Sequence, residues 1–140
     1  MSLDVRLYKN YHVTYDNGKT LESKQEEVYN ANITHNLGEM ASEAGLYEAL
    51  WRPHKLKEVY SISENDYISE YNFEKSNPVI ASEITLIIEK GLEDMKARPE
   101  HYKTFDSPNG WGIYDHFIPF IEKYLEALKE HPESIVECCR

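Results

Sequence analysis

The sequence predicts an α+β domain: one small antiparallel sheet, made from an N-terminal hairpin and a C-terminal strand, packed against about three helices. Three observations point there. Val5, Leu7, Tyr11, Val13 and Tyr15 carry period-two character ahead of the turn signal Asp16-Asn17-Gly18. Apolar stripes at helical spacing cover residues 80–95 and 117–128, and residues 134–138 are short and β-prone.

The elements follow in order. Residues 4–33 read mainly as strand, folded at Asp16-Asn17-Gly18 because Asn and Gly accept the positive φ of a tight hairpin. The polar run 19–27 reads as loop or frayed strand, and residues 27–31 as a strand entering a helix. Thr34 or Asn32 is placed to cap that helix, with Leu37, Met40, Ala41 and Ala44 at i, i+3, i+4 and i+7 and Gly45 as its left-handed stop. A shorter helix over 46–51 ends at Arg52-Pro53, since the residue before proline disfavours helix.

Residues 55–77 resist phasing and read as a surface excursion within a single domain of residues 1–140. A run this long predicts a hidden short helix or strand. Asn77-Pro78 then reads as cap and first helical residue, followed by the stripe Ile80, Ile84, Ile87, Ile88, Leu92 and Met95, with Pro99 beyond its end. A second long helix is expected over about 113–130, with Phe117, Phe120, Ile121, Tyr124, Leu125 and Leu128 on one face. Pro119 is expected to kink it or split off its first turn. The last strand, 134–138, is expected to extend the N-terminal sheet, because a two-stranded ribbon alone is only marginally stable.

Composition bounds the function. With 140 residues, 41% hydrophobic and 29% charged, the chain has the make-up of one ordinary globular domain. A net charge of −10, with the basic residues scattered singly, argues against nucleic acid as a partner. No apolar run approaches the roughly 18 residues of a membrane span, and no secretory leader is evident, which predicts a cytoplasmic protein without a membrane role. The adjacent Cys138 and Cys139 make neither a disulfide framework nor a zinc set.

The chemistry-bearing residues gather at predicted joints. Asn32, His35 and Asn36 open the first helix, where backbone N–H groups lack internal partners. Glu39, one turn on, is spaced to orient the imidazole of His35 for general-base work; the alternative is a first-turn histidine bonded to a neighbouring element. Trp51 and Arg52 offer an indole plane beside a guanidinium, or else a core anchor and a helix-end cap. Asn109-Gly110-Trp111-Gly112 lets backbone approach a ligand or the packed sheet closely, and Asp115 and His116 follow it. His35 and Glu39 with Asp115 or His116 are too few for a persuasive metal set, so neither metal nor cofactor is expected.

Asn32-Ile33-Thr34-His35-Asn36-Leu37, Gly45-Leu46-Tyr47-Glu48-Ala49-Leu50-Trp51-Arg52-Pro53, Asn109-Gly110-Trp111-Gly112 and Phe120-Ile121-Glu122-Lys123-Tyr124-Leu125 together resemble a family of small proteins of bacteria and their phages with no established biochemical activity. The resemblance covers the chain from about residue 30, apart from 57–77. It implies a bacterial or phage source and an intracellular setting, and it carries over no catalytic residue.

Three functional readings follow. The preferred one is a binding or accessory protein whose polar-aromatic cleft takes a small anionic or amide-bearing ligand or a peptide segment. In it Asn32, His35, Asn36 and Asn109 supply hydrogen bonds, Trp51 and Trp111 the walls, and Arg52 the charge partner. The second is an enzyme with His35 as general base, Glu39 orienting it, Asp115 as a second acid and Asn109 as an oxyanion or substrate donor. The third is an acidic interaction module or homo-oligomer using the Tyr-rich segment that contains Tyr60, Tyr67, Tyr71 and Phe73.

Overall fold

The computed structural model describes residues 2–14, 20–57 and 67–140. Strands β1 (Ser2–Thr14) and β2 (Thr20–Thr34) pair antiparallel, β4 (Ile135–Cys139) lies on the other side of β1, and the two-residue β3 (Val79–Ile80) closes the order β2-β1-β4-β3. The expected sheet of N-terminal hairpin and C-terminal strand is present. The expected turn at Asp16-Asn17-Gly18 lies outside the described residues.

The alternation in β1 decides which face is core. Leu3, Val5 and Leu7 are fully buried, while Asp4, Arg6 and Tyr8 face outward. Leu3 opposes Ile33, Val5 opposes both Ala31 and Cys138, and Leu7 opposes Tyr29 and Val136, so three strands present one apolar surface. The polar run from residue 20 onward, expected as loop or frayed strand, is continuous strand: its backbone pairs with β1 whatever its side chains are.

Helix α4 (Ala81–Ala97) buries Ile84, Ile88, Leu92 and Met95, and α6 (Tyr114–Glu130) buries Phe117, Phe120, Ile121, Tyr124, Leu125 and Leu128. Tyr124 stacks on Tyr29 of β2 with ring centroids 6.0 Å apart, which fixes α6 to the sheet. Pro119 does not split α6; it stands exposed within a continuous helix. The first N–H of α6, on Tyr114, is met by Asp106 Oδ1 at 2.7 Å.

Two boundaries differ from expectation. Asn77-Pro78 does not start α4, because Val79 and Ile80 find extended partners in Val136 and Ile135 of β4 and the helix waits until Ala81. Asn77 instead finishes α3 (Tyr67–Ser76), its backbone and side-chain N–H groups donating to Phe73 O at 2.9 and 3.1 Å. That ten-residue helix occupies part of the stretch expected as a surface excursion, and it carries the buried Glu70. Pro99 likewise does more than end α4: it opens the short helix α5 (Pro99–Lys103).

The first helical region breaks into small pieces: a 3-10 turn (His35–Leu37), α1 (Gly38–Glu43) and α2 (Tyr47–Trp51), separated by Gly45 at φ 74°. Gly91 lets α4 approach this region, since an added Cβ would stand 2.3 Å from Leu46 Cδ2 and 3.0 Å from Ala44 O. The close approach seats α2 against the core through Ala49, Leu50 and Trp51.

Candidate functional site: the His35–Trp51 cleft

At the end of β2, Thr34 Oγ1 accepts the Asn36 N–H at 3.4 Å and turns the chain from strand into the 3-10 turn. The turn brings His35 to α2, where Trp51 donates its indole N–H to His35 Nδ1 at 3.0 Å. Tyr47, one turn earlier on α2, stacks nearly parallel to Trp51 at 5.3 Å. A cleft of about 740 Å³ opens here, lined by His35, Asn36, Tyr47, Trp51 and Phe105 together with the carboxylates Glu39 and Glu43. Its size falls in the ordinary range for ligand sites.

The Trp51 bond fixes what His35 offers. An indole N–H only donates, so Nδ1 is the acceptor and the proton of a neutral imidazole sits on Nε2. Nε2 is buried and has no hydrogen-bond partner among the described residues. His35 thus holds a spare donor rather than a spare lone pair, and a general-base role requires the Trp51 bond to break first. The group that orients the ring is Trp51; Glu39 lines the same cleft without bonding to it among the described residues.

Trp111 is tied to the same corner through its backbone. Asn36 Nδ2 donates to Trp111 O at 2.8 Å, and Gly112 at φ 105° sits so close to Asn36 that a Cβ there would lie 2.8 Å from Asn36 Cβ. Asn109 Oδ1 accepts from Trp111 N at 2.9 Å and from Ser107 Oγ at 2.6 Å, and Ser107 N donates to Gly112 O at 3.0 Å. Asn109 is therefore committed to holding the loop, as is Gly112. The Trp111 indole itself is 72% exposed and is no core anchor, and neither it nor Asn109 belongs to the cleft lining, where both were expected.

The remaining expected site residues lie elsewhere. Asn32 is exposed on β2 with its side chain bonded to Asp4, and Asp115 and His116 are exposed on α6, outside the cleft lining. Arg52 leaves the cleft's charge unbalanced, because its guanidinium pairs with Glu70 of α3 instead. The cleft lining contains two carboxylates and no lysine or arginine.

The Arg52–Glu70 pair belongs to a second cluster that residue spacing did not reveal. His54, only 3% exposed, has Nε2 hydrogen-bonded to Glu70 Oε1 at 2.7 Å and Nδ1 2.8 Å from Glu74 Oε1. Arg140 Nη1 also lies 2.8 Å from Glu74 Oε1, although neither N–H is aligned on that oxygen, and donates to Trp51 O at 3.1 Å. Both His54 nitrogens face carboxylate oxygens. Burial works to raise the Glu70 and Glu74 carboxyls, but the contacts with Arg52 and His54, and with His54 and Arg140, outweigh it and hold both below the ordinary range. Arg52 is held above its ordinary value: burial opposes this, and the bonds to Glu70 and Tyr47 prevail.

One atom each from His54, Glu70 and Glu74 falls within 4.8 Å of the others, a spacing that suits a cation. The donor set does not. Two guanidinium groups already neutralise the two carboxylates, so a divalent ion would have to displace both Arg52 and Arg140. The cluster acts as an ion-pair clasp joining α2, the Pro53–Leu56 turn, α3 and the end of β4. The signal that would have found it is the i, i+4 spacing of Glu70 and Glu74, which puts both on one face of a helix.

No protein-family profile, curated protein or solved structure matches the chain. Among the described residues no helix is long and apolar enough to cross a membrane.

Proposed function

We propose that this protein is a small binding or accessory module whose His35–Trp51 cleft takes an amide-bearing ligand or a peptide segment. The observation that carries the reading is the buried, unpaired Nε2 of His35 in a ring already fixed by Trp51, on the lining of a cleft with stacked aromatic walls. An unpaired buried donor costs about 1–3 kcal/mol, and a carbonyl that reached it by displacing the atoms now covering it would recover that cost. Asn36 adds amide chemistry of its own on the same lining.

The lining favours an amide over an anion. Glu39 and Glu43 line the cleft and repel an anion there, and the guanidinium expected to receive it is bound to Glu70. The resemblance to small proteins of bacteria and their phages supports a cytoplasmic setting for this module.

A thermal-shift screen comparing acetylated, amidated short peptides with small carboxylic acids and sugar phosphates tests the reading. A ligand that binds only the native state raises its melting temperature. The amide-capped peptides should raise it and the anions should not; a rise with the anions alone contradicts the proposal.

A further inference from the structure

We infer that the segment taken by the cleft is cationic: an extended peptide bearing lysine or arginine, gripped between the Glu39 and Glu43 carboxylates and the displayed indole of Trp111. The inference rests on the binding reading above and adds the charge and the anchor. Two independent features support it, one electrostatic and one aromatic.

The electrostatic feature is a pair of carboxylates on the cleft lining, one of them without a cationic partner among the described residues. Glu43 takes His101 Nε2 at 3.0 Å, whereas no cation pairs with Glu39 among the described residues. Both carboxylates belong to the cleft lining, which holds no lysine or arginine, on a protein of net charge −10. A cationic side chain entering there meets attraction from the site and from the molecule as a whole.

The aromatic feature is Trp111. Most of its ring faces solvent, yet its backbone is held on both sides by Asn36 and Asn109 and beneath by the glycine seat on Asn36. A large apolar side chain displayed on a rigid support gives up little freedom on binding, and tryptophan is the best ring for a guanidinium to lie against. Asn36 joins the two features directly, since it lines the cleft and bonds to the Trp111 carbonyl.

Three acetylated, amidated hexapeptides identical except for two positions, filled by arginine, glutamine or glutamate, test this by isothermal titration on the full chain. The arginine peptide should bind about tenfold tighter than the glutamine peptide, and the margin should shrink between about 50 and 500 mM salt. Trp111→Ala and the double variant Glu39→Gln, Glu43→Gln should each erase that margin without lowering the melting temperature. Equal binding of the arginine and glutamine peptides overturns this inference and leaves the amide reading standing, as does a preference for the glutamate peptide. If none of the three binds, both fail.

Discussion

Trp51 and His35 are locked together by one hydrogen bond from indole N–H to imidazole Nδ1 at 3.0 Å. The bond joins the turn at the end of β2 to the last residue of α2 and sets which nitrogen of the histidine carries the proton. A two-bond proton–nitrogen NMR spectrum of the neutral protein should therefore show His35 as the Nε2–H tautomer. The Nδ1–H tautomer would contradict the geometry. Trp51→Phe removes the donor and should lower stability by about 1–3 kcal/mol in urea unfolding, as expected when a buried acceptor loses its partner.

Glu70 should be among the most costly surface-type residues to change. It is almost fully buried between Arg52 and His54, and removing one member of a buried charge network leaves the others uncompensated. Glu70→Ala should cost about 3 kcal/mol by denaturant unfolding. A change below about 1 kcal/mol would mean that the clasp adds nothing to the native state.

The same clasp gives stability a pH dependence. Both carboxyls are held below their ordinary value of 4.5 in the folded chain, so their contribution is fully present above that value and is lost as pH falls through the lower folded values. The urea midpoint should decline below about pH 4.5, and the decline should be shallower in Glu70→Gln, Glu74→Gln. An identical decline in that variant would place the acid-sensitive groups elsewhere.

Two glycines in the Trp111 loop should respond differently to alanine. Gly110 has φ 77° and open space around it, so Gly110→Ala should cost about 1 kcal/mol from backbone strain alone. Gly112 has φ 105° and faces Asn36 at 2.8 Å, so strain and collision add, and Gly112→Ala should cost about twice as much or more. Equal melting temperatures for the two variants would show that the loop is not seated on Asn36.

The parts of this fold that alternate or repeat were legible in the chain. Leu3, Val5 and Leu7 announce a half-buried strand, and Ile84, Ile88, Leu92 and Met95 a helix face, because hydropathy and period agree there. Glu70 was illegible for the opposite reason: hydropathy assigns a glutamate to solvent, and only the arrival of Arg52, His54 and Arg140 from distant positions makes its burial tolerable. Asn77-Pro78 misplaced a helix start because the local signal cannot see that β4 holds Val79 and Ile80 extended. In the cleft, His35, Asn36 and Trp51 were identifiable by type and place, but their pairing was not, since it depends on α2 folding back to the turn. Arg52 adjoins Trp51 in sequence yet serves a different cluster.

The chain's two tryptophans give a direct test of the cleft. In a nitrogen-15-labelled sample, the indole N–H signals of Trp51 and Trp111 should be well separated, one bonded to His35 and the other exposed. On titration with an amide-capped, arginine-bearing hexapeptide, both signals should shift along one saturating curve with a common midpoint. A Trp51 signal that stays fixed while the peptide is shown to bind would contradict the account, because the occupied surface would then lie away from the His35–Trp51 cleft.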